Sequence, residues 1–151
     1  MNIGSKNGGV AGRLSNFTPR KFIFDGVECN SMEGLLQSFK FDKPHIQAEV
    51  CKLTGFAAKK RGFPRNSAWK TAQTLWWKGV AYKRDSEEYQ KLLDRAYLAL
   101  FSNIKFKCDL LSTGNAVLVH TIGCPKKSET VLTEQEFCSR LMRLRSGELK
   151  N

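Results

Sequence analysis

The chain has 151 residues, 41% of them hydrophobic and 11% aromatic, enough apolar material to close one core and too little for two comfortable domains. Its formal net charge of +11 presents a positive field, which favours nucleic acid or a nucleotide as partner over lipid, since no amphipathic lipid-binding helix accompanies it. Five scattered cysteines without a C-x-x-C pair and only two histidines, His45 and His120, offer neither a disulfide framework nor a zinc constellation, and no run nears the roughly 20 apolar residues of a membrane span.

With no apolar centre of a secretory leader in the first residues, a soluble, cytoplasmic protein with reduced thiols is expected. Residues 1–13 are glycine-rich and polar and read as a flexible N-terminal segment, followed by a single domain over 14–151. Phe22 to Cys29 reads as a hairpin, because Asp25-Gly26 accommodates the positive φ of a two-residue type I′ turn. The hairpin delivers the chain into a short helix opened by Asn30, along which Glu33, Gln37 and Lys40 (i, i+4, i+7) project together. Met32, Leu35, Leu36 and Phe39 form the adjoining apolar stripe. On helix physics alone, Asn30 is an N-cap, Glu33 closes a capping box, and Gln37 and Lys40 are solvated surface.

A second helix starts near Asp42 and Pro44, carries Ile46, Val50 and Leu53 inward, and stops at Gly55. Phe56 to Arg61 forms another short helical turn. Asn66 or Ser67 caps a helix expected to run through Trp77, with Ala68, Trp69, Ala72, Leu75 and Trp76 inward. Gly79 to Asp85 reads as a loop. The strongest helix follows, with the stripe Tyr89, Leu92, Leu93, Ala96, Tyr97, Leu100 and Phe101. A shorter helix around Phe106 to Leu111 ends at Thr113-Gly114, and Asn115 to Ile122 alternates like a strand that packs His120. After a loop over Gly123 to Val131, Thr133 and Glu136 form a capping box for a last helix with Phe137, Leu141 and Leu144 inward. The fold class expected is α+β, a helix-rich single domain with a small β-hairpin or sheet.

The run Leu14-Ser-Asn-Phe17, followed by Phe22 to Phe41 with its spaced Glu33, Gln37, Lys40 and Phe41, resembles the signature of the NADAR superfamily, which includes the YbiA-like N-glycosidases. That signature reads S-N-F, then F-x-x-D-G, then S-x-E-x-x-x-Q-x-x-K-F. Ala57 to Gly62, Leu110 to Thr121 and Leu141 to Arg145 extend the likeness in the family's order. The late W-G-x-G segment of the family is replaced here by Gly123 to Arg145, and the family's His-Tyr after the glutamate is Gly34-Leu35. Trp76 or Trp77 is expected to supply the lost aromatic wall, with Glu129, Thr130 or Thr133 as polar groups.

The resemblance implies a NADAR/YbiA-like fold and cleavage of an N-glycosidic bond to ribose, with Glu33 and Lys40 as the catalytic pair. Such cleavage builds oxocarbenium-like charge that a carboxylate stabilises, while a desolvated lysine amine can form an imine with an opened ribose or clamp a phosphate. Asn16 and Gln37 are candidates to orient the ribose or base. Phe17 and one of Trp69, Trp76 or Trp77 are candidates to stack it, and Lys60, Arg61 and Gly62 are candidates to hold phosphate. The expected substrate carries ADP-ribose on guanine in nucleic acid or a nucleotide, or is a phosphoribosylamino-pyrimidine; no metal and no cofactor is implied. The alternative is a non-catalytic ADP-ribose or nucleic-acid binding module.

Overall fold

In the computed structural model, which describes residues 1–150, the first hairpin forms where the sequence allows it. Asp25 and Gly26 take φ of 48° and 80° between β1 (Pro19–Phe24) and β2 (Val27–Ser31), which pair antiparallel. Phe22 and Phe24 of β1 face inward, as alternation demands. Asp25 does more than turn the chain. Its carboxylate accepts a hydrogen bond from Trp77 Nε1 at 2.8 Å and from Arg95 Nη1 at 2.8 and 2.9 Å, so the Asp-Gly element ties the first hairpin to two later elements.

β2 runs directly into α2 (Met32–Ser38). The cap is Ser31 rather than Asn30: Ser31 Oγ accepts from Gly34 N and donates to Leu53 O, while the Asn30 amide donates to Lys52 O. Glu33 therefore lies one position too early to close a capping box. α3 (Pro44–Cys51) packs hard against α2. A Cβ on Gly34 would stand 2.6 Å from Leu53 O and 3.0 Å from the Val50 and Cys51 carbonyls, so only glycine admits this approach. Gly55 does not stop the preceding helix. At φ +52° it reverses the chain and opens α4 (Gly55–Gly62), followed by a 3₁₀ turn over Phe63–Arg65 and α5 (Asn66–Ala72).

The helix expected to reach Trp77 ends at Ala72, with Gln73 in the left-handed region, φ 48°. The chain then forms a second hairpin, β3 (Thr74–Trp77) and β4 (Val80–Lys83), turned by Lys78 and Gly79 at φ 48° and 85°. The two sheets stay separate. α6 (Glu87–Phe101), capped by Ser86, buries Tyr89, Leu92, Leu93, Ala96, Tyr97 and Leu100 at the centre of the core; fully burying each leucine is worth about 1.5–3 kcal/mol. α7 (Ile104–Ser112) and α8 (Glu134–Ser146) close the domain, and Thr133 and Glu136 form the expected capping box. Asn115 to Ile122 makes an isolated bridge, Asn2 to Val119, instead of a full strand.

That bridge corrects the reading of residues 1–13 as a flexible segment. Ile3 is wholly buried, its N–H donates to Val119 O at 2.8 Å, and Gly9–Arg13 forms α1. Ile3 and Val10 on the core, backbone bonds, and the side-chain contacts of Asn2 with Thr121 and of Arg13 with Asp109 hold the segment, contacts that composition does not show. No helix among the described residues is long and apolar enough to cross a membrane.

Candidate active site

Glu33 occupies the second position of α2, where the backbone N–H has no partner within the helix. The Asn16 carbonyl supplies one, 3.0 Å away, so the Ser-Asn-Phe turn caps α2 from outside. The Asn16 side chain is held in turn by the buried Tyr97, whose hydroxyl donates to Oδ1 at 3.1 Å. One turn along, Gln37 Nε2 donates to Glu33 Oε1 at 2.9 Å.

Lys40 lies beyond the last residue of α2, yet the chain keeps turning. The N–H groups of Phe39, Lys40 and Phe41 donate to the carbonyls three residues back, at 3.1 to 3.2 Å, and this tightened turn keeps Lys40 on the Glu33 side. Gln47 of α3 fixes the turn from behind. Its amide nitrogen donates to the Phe41 and Trp76 carbonyls at 2.8 Å and lies 3.2 Å from Ser38 O, while its oxygen accepts from Lys78 N at 3.0 Å. Lys40 Nζ donates to Asn66 Oδ1 at 2.6 Å. Arg65 Nε donates to the Lys40 carbonyl, so the start of α5 and the end of α2 are clasped together.

These elements enclose a cavity of about 280 Å³ between α2, the Asn16-Phe17 turn, α5, the 120–124 segment and the start of α8. Of the candidates, Glu33, Lys40, Asn16, Phe17, Gln37, Trp69 and Thr130 line it. Glu129 and Thr133 line it too, so residues 129–133 form part of its wall. Lys60, Arg61, Gly62, Trp76 and Trp77 lie elsewhere. Trp76 sits in β3 and pairs with Ala81, with the Arg65 guanidinium 6.0 Å from its ring. Arg61 points away and stacks over Phe41 at 4.7 Å. Gly62 supports the site from outside, since a Cβ there would stand 1.8 Å from Gln37 Oε1. The aromatic wall comes from Trp69, Phe63 and Phe137 rather than from Trp76 or Trp77.

Sequence reasoning missed Asn66, Lys59, Lys70 and His120, all of which line the cavity. His120 is the most telling. Its Nδ1 lies 2.6 Å from the Ile3 carbonyl, which can only accept, so Nδ1 carries the proton and a neutral ring keeps Nε2 as an acceptor. The ring also packs edge-on against Phe137, 5.4 Å between centroids. A sequence signal for His120 was present in the alternation of residues 115–122, but it did not reveal that the N-terminal segment would orient the ring.

Burial dominates the electrostatics. It pushes the Glu33 carboxyl up, against the Gln37 hydrogen bond and the charges of Lys40 and Lys59, which favour the anion. The same burial brings the Lys40 ammonium down to about 8, against the stabilising charge of Glu33. At pH 7, then, roughly one Lys40 in ten carries a free amine. Trp69 Nε1–H and Gln37 Oε1 are buried with no partner, two polar atoms on cavity-lining residues left for something else to satisfy. Among the described residues no group of three or more His, Cys, Asp or Glu is placed to hold a metal ion.

A helix-rich α+β domain around a cavity that pairs a carboxyl with an amine defines the class. The fold is that of the E. coli protein YbiA, whose NMR structure matches 97% of this chain and 83% of that one, with a TM-score of 0.63 and 18% identity. The chain belongs to the bacteriophage protein GP30.3 family, whose model matches residues 8–146. A 17.1 kDa protein from the Gp30-rIII intergenic region of Enterobacteria phage T4 is 35% identical over 136 residues, 89% of each chain.

Proposed function

We propose that this chain is an N-glycosidase, a divergent member of the NADAR superfamily that removes ADP-ribose from ADP-ribosylated guanine in nucleic acid or nucleotides. The observation that carries the proposal is that Glu33 and Lys40 line one cavity, with burial pushing both toward their neutral forms. Two of the motifs that bear the resemblance have structural roles at that cavity, where Asn16 caps α2 and Gln37 contacts Glu33, while Asp25 ties the first hairpin to the core.

The net reaction adds water across the bond from the ribose C1′ to the base nitrogen. The base leaves with the electron pair and a proton, and the sugar gains the hydroxyl. Glu33 as carboxylate stabilises positive charge developing at C1′ or orients the water. A lysine near 8 suits Lys40 to a role as amine rather than as permanent phosphate clamp: its nitrogen adds to C1′ of the opened ribose, the aminal expels the protonated base to leave a lysine imine, and water hydrolyses that imine to free the sugar and return the amine. Lys70 is then left for the phosphates of the substrate, and Trp69 for the base.

The test is chromatographic. Purified protein is incubated with ADP-ribosylated guanosine, a phosphoribosylamino-pyrimidine and NAD. Release of ADP-ribose from the first by wild type, absent with Glu33→Gln and Lys40→Ala, supports the proposal. Turnover of the pyrimidine alone transfers the activity to that substrate. Binding of ADP-ribose with no product from any of them makes the chain a non-catalytic binding module.

A further inference from the structure

Beside the catalytic cavity lies a second hollow of about 370 Å³, walled by Phe56, Ile122, Lys6, Asn7, Phe17 and Lys59 among others. Phe17 and Lys59 line both. The partition between them is therefore one ring and one flexible cation. Among the described residues no acidic side chain lines the second hollow, and its charges are Lys6 and Lys59.

Core packing does not account for the aromatic ring here. Phe56 is 70% exposed, although Phe17 meets it edge-on at 5.3 Å and 75° and so props it in place. Phe63 is equally exposed and stands seven residues further along, on the lip of the first cavity, with Lys59 between the two. The order is ring, cation, ring, running from one hollow to the other. Planar apolar faces interleaved with positive charge match a strand of unpaired bases joined by phosphates. A duplex would present no free base face to Phe56.

We infer that the second hollow is a subsite for the nucleotide adjoining the reacting one in a single-stranded polynucleotide. The neighbouring base stacks on Phe56 and the linking phosphate meets Lys59. The inference rests on the N-glycosidase reading only for what occupies the first cavity.

The test uses fluorescein-labelled single-stranded DNA octamers by anisotropy, together with turnover of ADP-ribosylated guanosine as a free nucleoside and within the same octamer. Phe56→Ala, at an exposed position, is expected to weaken octamer binding and kcat/KM on the octamer by about tenfold. Turnover of the free nucleoside is expected to stay at the wild-type level, and Phe56→Trp to restore the octamer. Lys59→Ala is expected to reduce the salt dependence of octamer binding by about one phosphate contact, which Phe56→Ala leaves alone.

Equal loss on nucleoside and octamer would mean that Phe56 stacks the substrate's own adenine, and the subsite would be refuted. Unchanged binding by Phe56→Ala, or a duplex octamer bound as tightly as the single strand, would refute it as well. If wild type releases nothing from either substrate while octamer affinity still depends on Phe56, the N-glycosidase reading fails and the subsite stands.

Discussion

Gln37 gives its side-chain N–H to Glu33 and keeps its own oxygen buried without a partner, in a space that only a glycine at position 62 leaves open. An amide can present either end. Its nitrogen donates to a carboxylate, and its oxygen accepts from a carboxylic acid. The pair is thus matched to both protonation states of Glu33, as suits a group whose proton affinity has been raised by burial.

Gln37→Leu removes a donor that favours the Glu33 anion, so the carboxyl should rise further. Glycosidase activity that depends on the Glu33 carboxylate should then have its acidic limb displaced to higher pH, with little change in the limb set by Lys40. A pH profile of kcat/KM on ADP-ribosylated guanosine reads this directly. A limb that stays in place, or moves down, contradicts the coupling.

Glu33→Gln should stabilise the fold while removing activity. A carboxyl raised above its ordinary 4.5 favours the folded protein below that pH, and the advantage is lost as pH climbs through the raised value. Glutamine, neutral throughout, escapes that loss. Thermal scans should show near-identical melting at pH 4 and a higher Tm for the variant at pH 8, by an amount equivalent to about 1.4 kcal/mol per unit of elevation. A variant less stable than wild type at pH 8 would contradict the burial argument.

Lys40→Ala should lower turnover by at least the 10²–10⁴-fold, about, that a positioned acid or base contributes. If the free amine attacks C1′, wild-type turnover climbs with pH and levels off above about 8. Cyanoborohydride added during turnover should then fix a sugar adduct on Lys40, visible by mass spectrometry. Full activity with no adduct and no rise near that pH would leave Lys40 as a phosphate contact.

The wall of the cavity depends on a buried ion pair. Arg84, wholly buried, donates to Glu136 at 2.6 and 3.1 Å, and its Nε donates to the Thr130 carbonyl. Burial pushes the Glu136 carboxyl up, but Arg84, the Thr133 N–H and Gln90 outweigh it and hold the group below its ordinary value. Glu136→Ala strands the guanidinium and should cost about 3–5 kcal/mol in urea unfolding at pH 7. Because the folded value is depressed, wild type keeps this contribution above about 4.5 and loses it as pH falls through the lower folded value; the gap between wild type and variant should narrow at pH 3. A gap that does not narrow would place the stabilisation elsewhere.

What the sequence revealed was local. Asp25-Gly26, the α6 stripe and the Thr133 box each carry their structure within a dozen residues, and each forms as read. Glu33 and Lys40 were legible as a helical face, although Lys40 reaches it through a tightened turn that periodicity does not describe. Thr74 to Trp77 defeated the same reasoning, because Leu75 and Trp77 alternate for a strand while Trp69, Ala72 and Trp76 repeat for a helix. The left-handed Gln73 settles the choice. The remaining walls, Asn66 and His120, are assembled by contacts across 26 and 117 positions, and no window of sequence contains them.

Gln47 spends its whole amide on backbone groups of the Lys40 turn and the second hairpin. Those two stretches therefore have to keep their lengths in step. An inserted or deleted residue between Ser38 and Gln47, or between Gln73 and Lys78, would slide one set of carbonyls past the other and carry the Lys40 amine out of alignment. Drift in chain length among relatives belongs in loops that this glutamine does not touch.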